Sequence, residues 1–496
     1  MTLQHLVDRL QRGDLSRRQF MQAATALGVG TATAAILASG AGAQEASPAA
    51  SPQAAATGVP AAGTEGQERG AGGELRIIQS QAPTVLAAHS ATGSKDSFAG
   101  NLVMEPLLGY LPDGTLIPIL AAAAPSTEDG SVAEDLTGVT FTLKEGVTWS
   151  DGEPFTANDL IFTWQWVTNP DNASVNIDTW AVIANIEAPD DLTAVVTFTG
   201  PQVAWFEPFT GSDWGIIYPA HVFGNDPANI NGEFLSFPIG TGPFKVDSFA
   251  PNDAAQFSAN ENYREPNKPF FATVSFKGGG DAVSAGRAVV QTGEYDYAWN
   301  VQAEPEIIAE IVANGDQGTI LQTVNTTVES FYLNFADPNA EVDGERSHKD
   351  TPHPFLTDPA VRQALNLAID RALISEEFYG DAALAEANVL AGSSFFDSPN
   401  TSWEFNLEAA AQILDDAGWT LDGDVRSKDD IELRLVYATP INQVRQKTQA
   451  VVQAHLESIG FQVELAQIDP GIFFDGAAGN DQNLQHFYWD MATISS

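Results

Sequence analysis

The sequence predicts a mixed α/β protein in which at least part of the sheet is parallel. From Ile431 to Leu435 and again from Phe461 to Leu465, apolar residues alternate at a period of two, which is typical of strands. Between these stretches, from Val444 to Ile459, apolar residues recur at helical spacing. A strand, a helix and a strand in that order form a right-handed crossover, which joins parallel strands. Similar alternation begins at Gly73, so this fold class covers most of the chain.

The first half of this region reads as short strands separated by tight turns. The predicted strands are at Leu75 to Ile78, Phe141 to Leu143, Val147 to Trp149, and a pair between Phe244 and Phe257. Turn signals at 145–146, 151–152 and 240–243 separate them. Thr156 and Asp159 have the spacing of a capping box, which predicts a helix that continues through Trp166.

Two helices of the second half have clear start signals. Asp358 followed by Pro359 begins one, whose apolar positions continue to Ala372. Asn406 caps another, which Gly418 ends.

Composition and charge exclude several classes of function. The chain has 496 residues, 44% of them hydrophobic, which is enough to form the cores of two or three domains. It carries 22 Lys plus Arg against 65 Asp plus Glu, a formal net charge of −43. Such a surface repels phosphate backbones and anionic lipids, so nucleic acid is excluded as a partner. With no Cys, the chain has no disulfides, no thiolate metal sites and no cysteine nucleophile.

The N-terminus has the pattern of an export signal. Residues 1–43 combine the adjacent Arg17 and Arg18, a short apolar stretch and the small residues 41–43, which together predict a twin-arginine signal peptide. A basic amphipathic helix is the alternative. Residues 44–72 are rich in Ala, Gly, Pro and Ser and predict a flexible linker. The sequence contains no stretch of 18 or more apolar residues, so it predicts no ordinary membrane span.

No catalytic or cofactor motif stands out from the sequence. Phosphate-binding loops, a dinucleotide fingerprint and a nucleophile elbow are absent. His348 and His353 are interpreted as part of a solvated loop rather than as metal ligands. Asp422, Asp424, Asp429 and Asp430 miss the EF-hand spacing and are interpreted as an acidic turn. We therefore predict no cofactor, no metal and no catalytic residue.

Several separated segments, in this order, resemble the extracytoplasmic solute-binding proteins of ABC importers, in family 5, which binds peptides, nickel complexes and related solutes. The segments are Glu105 to Leu108, Asp113-Gly114, WSDGEPFTAND at 149–159, IGTGPF at 239–244, GEYD at 293–296, FYLNF at 331–335, DPAVRQALNLAIDR at 358–371, and Leu414 to Trp419. Each is weakly specific alone, and the ordered set is specific.

The resemblance implies the two-lobed periplasmic-binding-protein fold of type II, with an extra subdomain in the first lobe. The first lobe would comprise residues 73–300 and the second residues 301–496. The family would continue beyond Ser496, so the C-terminal part of the second lobe, with the residue that anchors a peptide's amino group, is expected to be missing. Relatives usually carry a lipidated Cys, which this chain lacks.

The implied function is capture of a peptide or similar small solute in a cleft between the lobes. The partner would be an ABC permease with cytoplasmic ATPase subunits, and the binding protein would act as a periplasmic or extracytoplasmic monomer. An oligosaccharide or another solute is the alternative ligand, and a secreted hydrolase is the alternative class.

Candidate ligand-binding residues follow turns or strand ends that are expected to face the cleft. They are His89, Ser90, Gly240, Thr241, Gly242, Trp299, Asn300, Asn334, Trp489 and Asp490. A purely structural role is the alternative for each of them. Trp299 and Asn300 are the favoured pair, because they follow a segment where the chain should cross between lobes. Arg362 and Asp370 are expected to fix a helix, and Asp151-Gly152 a hairpin.

Overall fold

The computed structural model describes Thr64 and residues 66–91, 93–111, 114–211, 214–278, 280–322, 327–388, 398, 400–475 and 479–495. The predicted signal peptide (1–43) and the first part of the predicted linker (44–63) lie outside these residues, as does Asp113 of the Asp-Gly motif. Within the described ranges, no helix has both the length and the apolar character needed to cross a membrane.

In chain order, the strands are β1 (Glu74–Gln79), β2 (Leu108–Tyr110), β3 (Leu116–Pro118), β4 (Gly138–Thr142), β5 (Ile183–Asp190), β6 (Thr193–Phe198), β7 (Phe244–Ala250), β8 (Ala254–Ala259), β9 (Thr273–Lys277), β10 (Tyr297–Trp299), β11 (Glu329–Leu333), β12 (Glu341–Val342), β13 (Glu345–Arg346), β14 (Thr420–Asp422), β15 (Val425–Lys428), β16 (Ile431–Glu432), β17 (Arg434–Pro440), β18 (Gln462–Ile468) and β19 (Met491–Ser495).

The α-helices are α1 (Ser94–Gly100), α2 (Ala157–Val167), α3 (Ile177–Trp180), α4 (Gly232–Ser236), α5 (Ala282–Val290), α6 (Pro305–Ala313), α7 (Pro359–Ala368), α8 (Arg371–Ile374), α9 (Leu407–Asp416), α10 (Gln443–Ser458) and α11 (Pro470–Phe473).

A first mixed sheet has the strand order β10-β1-β9-β8-β7. Strand β1 is parallel to both β9 and β10, and its last residue, Gln79, pairs with Trp299. Strands β7, β8 and β9 are antiparallel, as the predicted strand pair between Phe244 and Phe257 requires. A separate three-stranded sheet, β4-β6-β5, is inserted between β1 and β7 in the chain.

A second mixed sheet has the order β11-β19-β17-β18. The predicted crossover is confirmed, because β17 and β18 are parallel with α10 between them, in register from Arg434 with Gln462 to Pro440 with Ile468. The first predicted strand of this unit is divided, however. Residues 431–432 form β16, which pairs with β15, and β17 begins at Arg434.

The capped helices form where their start signals predict them. The Thr156 backbone N–H donates to the Asp159 carboxylate at 2.8 Å at the start of α2. Asp358 and Asn406 accept backbone N–H bonds at the starts of α7 and α9. Gly418, after α9, has a φ of +85°, a left-handed conformation that ends a helix at little cost to glycine.

Two predictions about elements are wrong. The helix from Pro359 does not reach Ala372, because Ile369 is extended and Asp370 caps a new short helix, α8, by accepting from the Leu373 N–H at 3.0 Å. Val147 to Trp149 form no ladder strand, since only one isolated bridge joins Thr148 to Pro154. The predicted acidic turn is only partly correct: Asp422 ends β14, Asp424 lies in the turn before β15, and Asp429 and Asp430 form a second turn, in left-handed conformations, between β15 and β16.

The described residues form separate hydrophobic cores around the two sheets. One extends from Leu86 to Phe276 and includes the three-stranded sheet. The others lie between Phe355 and Ile494. We call residues 66–300 the first lobe and residues 327–495 the second lobe. Helix α6 lies between these ranges and packs on α5, since a Cβ atom at Gly286 would be 3.3 Å from Ile311.

The end of the predicted linker is docked on the first lobe. The Arg69 guanidinium donates to four backbone carbonyl oxygens, those of Glu261, Tyr263, Glu265 and Lys268, at 2.5–2.8 Å. Backbone N–H groups of Gly70 and Gly72 donate to the neighbouring residues Pro269 and Phe270. Residues 69–72 of the predicted linker are therefore hydrogen-bonded to residues 261–270 of the first lobe, which differs from the prediction of a flexible tether.

Candidate functional site

The carboxyl ends of the parallel strands define one edge of each sheet. In the first sheet β1, β9 and β10 end together at Gln79, Lys277 and Trp299. In the second sheet β17 and β18 end together at Pro440 and Ile468. Ligands of open α/β sheets bind beyond such carboxyl ends, so these two edges are where a site is expected.

The loops that follow these edges meet each other across the two lobes. Gly93, which precedes α1 in the first lobe, faces Phe474 of the second lobe, and a Cβ atom at Gly93 would lie 3.5 Å from the Phe474 Cβ. Asn252, in the turn between β7 and β8, faces Gly471 of α11, where a Cβ atom would lie 2.9 Å from the Asn252 Oδ1. The gap between the two edges is the candidate site, which we call the cleft.

The chain crosses from the first lobe to α6 through residues 300–305. Asn300 has a φ of +56°, so the chain turns sharply after β10. Gln302 accepts a hydrogen bond from Asn442 at 2.9 Å, and Glu304 pairs with Lys447 at 2.5 Å. Both partners lie at the start of α10, so this crossing segment is bonded to the second lobe and continuous with the first.

His89 and Ser90, two predicted ligand contacts, lie on a short turn at the core of the first lobe. The His89 side chain is fully buried between Trp180 and Tyr218. Its Nε2–H donates to the Ile216 carbonyl at 2.8 Å, and its Nδ1 accepts from Asn176 at 3.0 Å. Burial lowers the pKa of His89 to about 4, so the ring is neutral. Both ring nitrogens are engaged, whereas Ser90 is half-buried and its ligand contact stays a prediction.

Gly240, Thr241 and Gly242 are buried at a backbone junction of the first lobe. A Cβ atom at Gly240 would lie 1.9 Å from the Val103 carbonyl oxygen, so only glycine fits there. The Gly242 N–H donates to the same oxygen at 2.8 Å. Thr241 Oγ1 donates to Glu105, whose carboxylate also binds Arg264. Three of the segments that carry the sequence resemblance thus meet here, since the Ser150 N–H donates to the Gly240 carbonyl.

Trp299 and Asn300 are at the carboxyl edge of the first sheet. Asn300 is exposed, and Trp299 is half-buried. The Trp299 ring packs against Phe98 of α1, with ring centroids 4.6 Å apart and an interplanar angle of 38°. Sequence reasoning missed Phe98, because a single Phe in a short helix gives no signal that separates an exposed ring from a core residue.

Asn334, Trp489 and Asp490 lie at the opposite edge of the second sheet. Asp490 precedes β19, and Asn334 follows the antiparallel β11, so both are away from the carboxyl ends of β17 and β18. The Asn334 side chain donates to the carbonyl oxygens of Phe487 and Trp489. Asp490 binds His353 at 2.8 Å and the Val436 N–H at 2.5 Å. The side chains of Asn334 and Asp490 thus bind the protein itself, and ligand contact at all three residues stays a prediction.

His353 is buried, although the sequence predicted that it belongs to a solvated loop. It is 1% exposed and pairs with Asp490, which follows it at a great distance in the chain. Its Nδ1 accepts from the Leu356 N–H at 3.0 Å. The prediction of solvent exposure at His353 is wrong, since no local pattern shows a partner so far along the chain.

A buried ion pair, which sequence reasoning also missed, lies beside the carboxyl edge of the first sheet. Lys95 and Asp96 at the start of α1 are both almost fully buried, and the Lys95 Nζ lies 2.7 Å from the Asp96 carboxylate and 2.7 Å from Thr84 Oγ1. Burial raises the pKa of Asp96, while Lys95 and the N–H groups of Thr84 and Val85 act in the opposite direction. A lone charge here would be very costly, so the two side chains stabilise each other.

A cavity of about 480 Å³ lies elsewhere in the first lobe, beside Lys144, Val147 and Arg264. The Lys144 Nζ donates to the Ile119 carbonyl at 2.5 Å, and burial lowers the pKa of Lys144. These charges serve the junction at Glu105 rather than the cleft. Over the described ranges, no three His, Cys, Asp or Glu side chains are grouped so that they could hold a metal ion.

Comparison with known families agrees with this geometry. The model of the bacterial extracellular solute-binding proteins, family 5, matches residues 115–495, which extend from β3 in the first lobe through β19 in the second. The chain belongs to this family. Its members are solute-binding proteins, and the predicted resemblance is confirmed.

Individual relatives of the family cover most of this chain. A Brucella ovis protein named as an ABC transporter peptide-binding protein is 27% identical over 370 residues, which are 74% of this chain and 63% of that protein. The oligopeptide-binding protein AppA of Bacillus subtilis is 27% identical over 403 residues, 79% of this chain and 68% of AppA. The chain thus spans less than two thirds of the length of the Brucella relative.

Solved structures of family 5 proteins share the fold. AppA of Bacillus subtilis, in complex with a nonapeptide, superposes with a TM-score of 0.68 at 22% identity over 87% of this chain and 80% of AppA. NikZ of Campylobacter jejuni, in complex with Ni(L-His), gives 0.69 at 21% identity over 85% and 77%. The predicted two-lobed α/β fold is therefore confirmed.

A substitution at the glycine junction tests its steric requirement. Gly240→Ala should lower the free energy of unfolding by about 3 kcal/mol, because the new methyl group must displace the Val103 backbone. Gly200→Ala is the matched control, since a Cβ atom there meets nothing within 4 Å and should change stability by less than about 0.5 kcal/mol. Urea unfolding measures both, and equal stabilities would contradict the packing described here.

The buried His89 predicts a loss of stability in mild acid. Its folded pKa lies below its usual value, so on acidification below about pH 6.5 the unfolded chain binds a proton that the folded chain excludes. The stability that the folded protein gains from the low pKa of His89 is present at pH 7, and it decreases as the pH falls toward about 4. Between pH 7 and pH 5, wild type should lose about 2 kcal/mol relative to His89→Gln. Urea unfolding at both values measures this, and an unchanged difference between the two proteins would contradict a neutral buried ring.

Proposed function

We propose that this chain is the extracytoplasmic substrate-binding component of an ABC importer, which captures peptides in the cleft between its lobes. One observation carries the proposal: the family match extends across both lobes, and the carboxyl edges of their sheets face each other at Gly93 and Phe474. A ligand in this gap would contact both lobes at once.

Binding between two lobes would allow the importer to distinguish the ligand-bound protein from the free protein. A ligand that contacts both edges stabilises the closed arrangement more than the open one, so its presence shifts the population toward closure. The crossing segment supports this, because side-chain bonds at Gln302 and Glu304 join it to α10 of the second lobe beside the cleft. The closed form would be delivered to a permease with cytoplasmic ATPase subunits.

Peptides are the favoured ligand class. The Brucella ovis and Bacillus subtilis relatives are both named for peptide binding, whereas NikZ is named with Ni(L-His). An oligosaccharide or another small solute is the alternative within the same fold. We propose no catalytic role, since the relatives are named as binding proteins and the cleft residues described above include no nucleophile beside a general base.

The N-terminal sequence and the exposed cleft residues indicate where the protein works and how it contacts its ligand. The pattern of residues 1–43 supports export by the twin-arginine route to the extracytoplasmic side of the membrane. The binding protein would work as a monomer. Ser90, Trp299 and Asn300 are the proposed ligand contacts of the first lobe, because each retains exposed surface.

Obstructing the contact between the lobes should weaken binding. Gly93→Leu places a bulky side chain where a Cβ atom already lies 3.5 Å from Phe474, so closure is hindered and affinity for a mixed tripeptide library should fall at least about tenfold. Gly200→Leu, in open space within the first lobe, is the matched control and should bind as wild type does. Isothermal titration calorimetry measures the affinities.

Two results would contradict the proposal. One is wild-type protein that binds no peptide and carries none when mass spectrometry is performed on natively purified material. The other is equal peptide affinity for wild type and Gly93→Leu, which would put the ligand outside the cleft. Binding of oligosaccharides instead of peptides would support the alternative ligand class.

A further inference from the structure

The exposed Phe98 and the half-buried Trp299 form an aromatic pair at the carboxyl edge of the first sheet. We infer that this pair is one subsite of the cleft and that it accepts an uncharged, apolar side chain of a peptide ligand. The inference rests on the proposed function and adds which part of a peptide is selected and by which residues.

The position of the pair follows from the register of the first sheet. Gln79 and Trp299 are paired residues at the ends of β1 and β10. The Gln79 side-chain amide donates to the Lys95 carbonyl at 3.0 Å, which holds α1 over the end of β1. Phe98 lies one helical turn beyond Lys95, beside Trp299. Phe98 is five positions after Gly93, where the second lobe makes contact, which corresponds to a rise of about 7 Å in a helix.

The exposed surface of the pair is apolar and lies on the cleft side. Phe98 is 40% exposed although it has an aromatic partner at 4.6 Å, so part of its ring is left uncovered by the described residues. On the second lobe, Ile441 follows the carboxyl end of β17 and is 47% exposed, and Ile472 of α11 is 43% exposed. Large apolar side chains thus remain uncovered on both sides of the same gap, as expected for a ligand pocket.

Charge at the same edges disfavours an acidic ligand group. The cations Lys95, Lys277 and Lys447 are each paired with a carboxylate, those of Asp96, Asp253 and Glu304. None of these three ammonium groups is left to neutralise an acidic ligand side chain. A Leu or Phe side chain loses little on transfer into this environment, whereas a carboxylate would be desolvated without a partner.

The aromatic pair is better suited to a side chain than to a peptide backbone. Phe98 and Trp299 contribute ring faces and, in Trp299, one N–H donor, whereas backbone recognition needs regularly spaced donors and acceptors. Burying an apolar side chain against two rings is the type of contact that dominates binding energy. Affinity should therefore depend on the size of the ligand side chain at this subsite.

Peptides that differ at one position test the inference. Ala-Phe-Ala and Ala-Ala-Ala are titrated calorimetrically into full-length wild type, Phe98→Ala, Trp299→Ala and Trp299→Phe. We expect wild type to bind Ala-Phe-Ala about tenfold more tightly than Ala-Ala-Ala. Phe98→Ala and Trp299→Ala should abolish this preference, and Trp299→Phe should retain most of it.

A matched control and a stability measurement separate binding from folding. Phe335→Ala removes a ring that is 56% exposed after β11, at the edge away from the cleft, and should leave both affinities unchanged. Thermal unfolding of Phe98→Ala should match wild type, since an exposed ring contributes little to the core.

The outcomes distinguish this inference from the proposed function. If wild type binds both peptides and the Phe98 and Trp299 variants keep the wild-type preference, the subsite is wrong while the peptide-binding function stands. If both variants lose affinity equally for the two peptides, the pair contacts the ligand without selecting a side chain, and the inference is also wrong. If wild type binds neither peptide nor any member of the library, the proposed function itself fails.

Discussion

The close backbone approach of Gly240 and Gly242 to Val103 is the constraint on which the first lobe depends. Only residues without a Cβ atom fit against the Val103 carbonyl, and this fixes where β7 begins at Phe244. Strand β7 then runs to a turn at Asn252, whose N–H donates to the Pro83 carbonyl and whose side chain reaches Gly471 of the second lobe. A steric requirement far from the cleft thus positions one of the contacts that close it.

The motifs that reveal the family and the residues proposed to bind ligand are largely different sets. Thr241 and Glu105 bind each other, and Asp358 and Asp370 cap helices. These contacts stabilise the fold and do not involve the proposed ligand contacts. Phe98 and the exposed Asn300 belong to no motif, which is consistent with ligand preference that differs among relatives that share one architecture.

The sequence predicts elements well where the signal is local and fails where partners are distant. Capped helices and the β17-α10-β18 crossover depend on residues a few positions apart, and they form as predicted. The burial of His353 depends on Asp490, and the docking of Arg69 depends on carbonyl oxygens almost two hundred residues away. No periodicity encodes such pairs, so a buried histidine resembled a solvated one and a docked segment resembled a tether. Phe98 shows the same limit for the candidate site, because its aromatic partner Trp299 is distant in the chain.

A ligand in the cleft should change the arrangement of the two lobes. Because the chain has no Cys, spin labels can be attached at two introduced cysteines alone, Gln165→Cys on α2 and Glu408→Cys on α9, both at exposed positions. Pulsed electron–electron double resonance then measures the distance between the lobes. A saturating tripeptide should convert the distance distribution to a single, narrower population with a shifted mean. An unchanged distribution, with the peptide shown by calorimetry to be bound, would contradict the account.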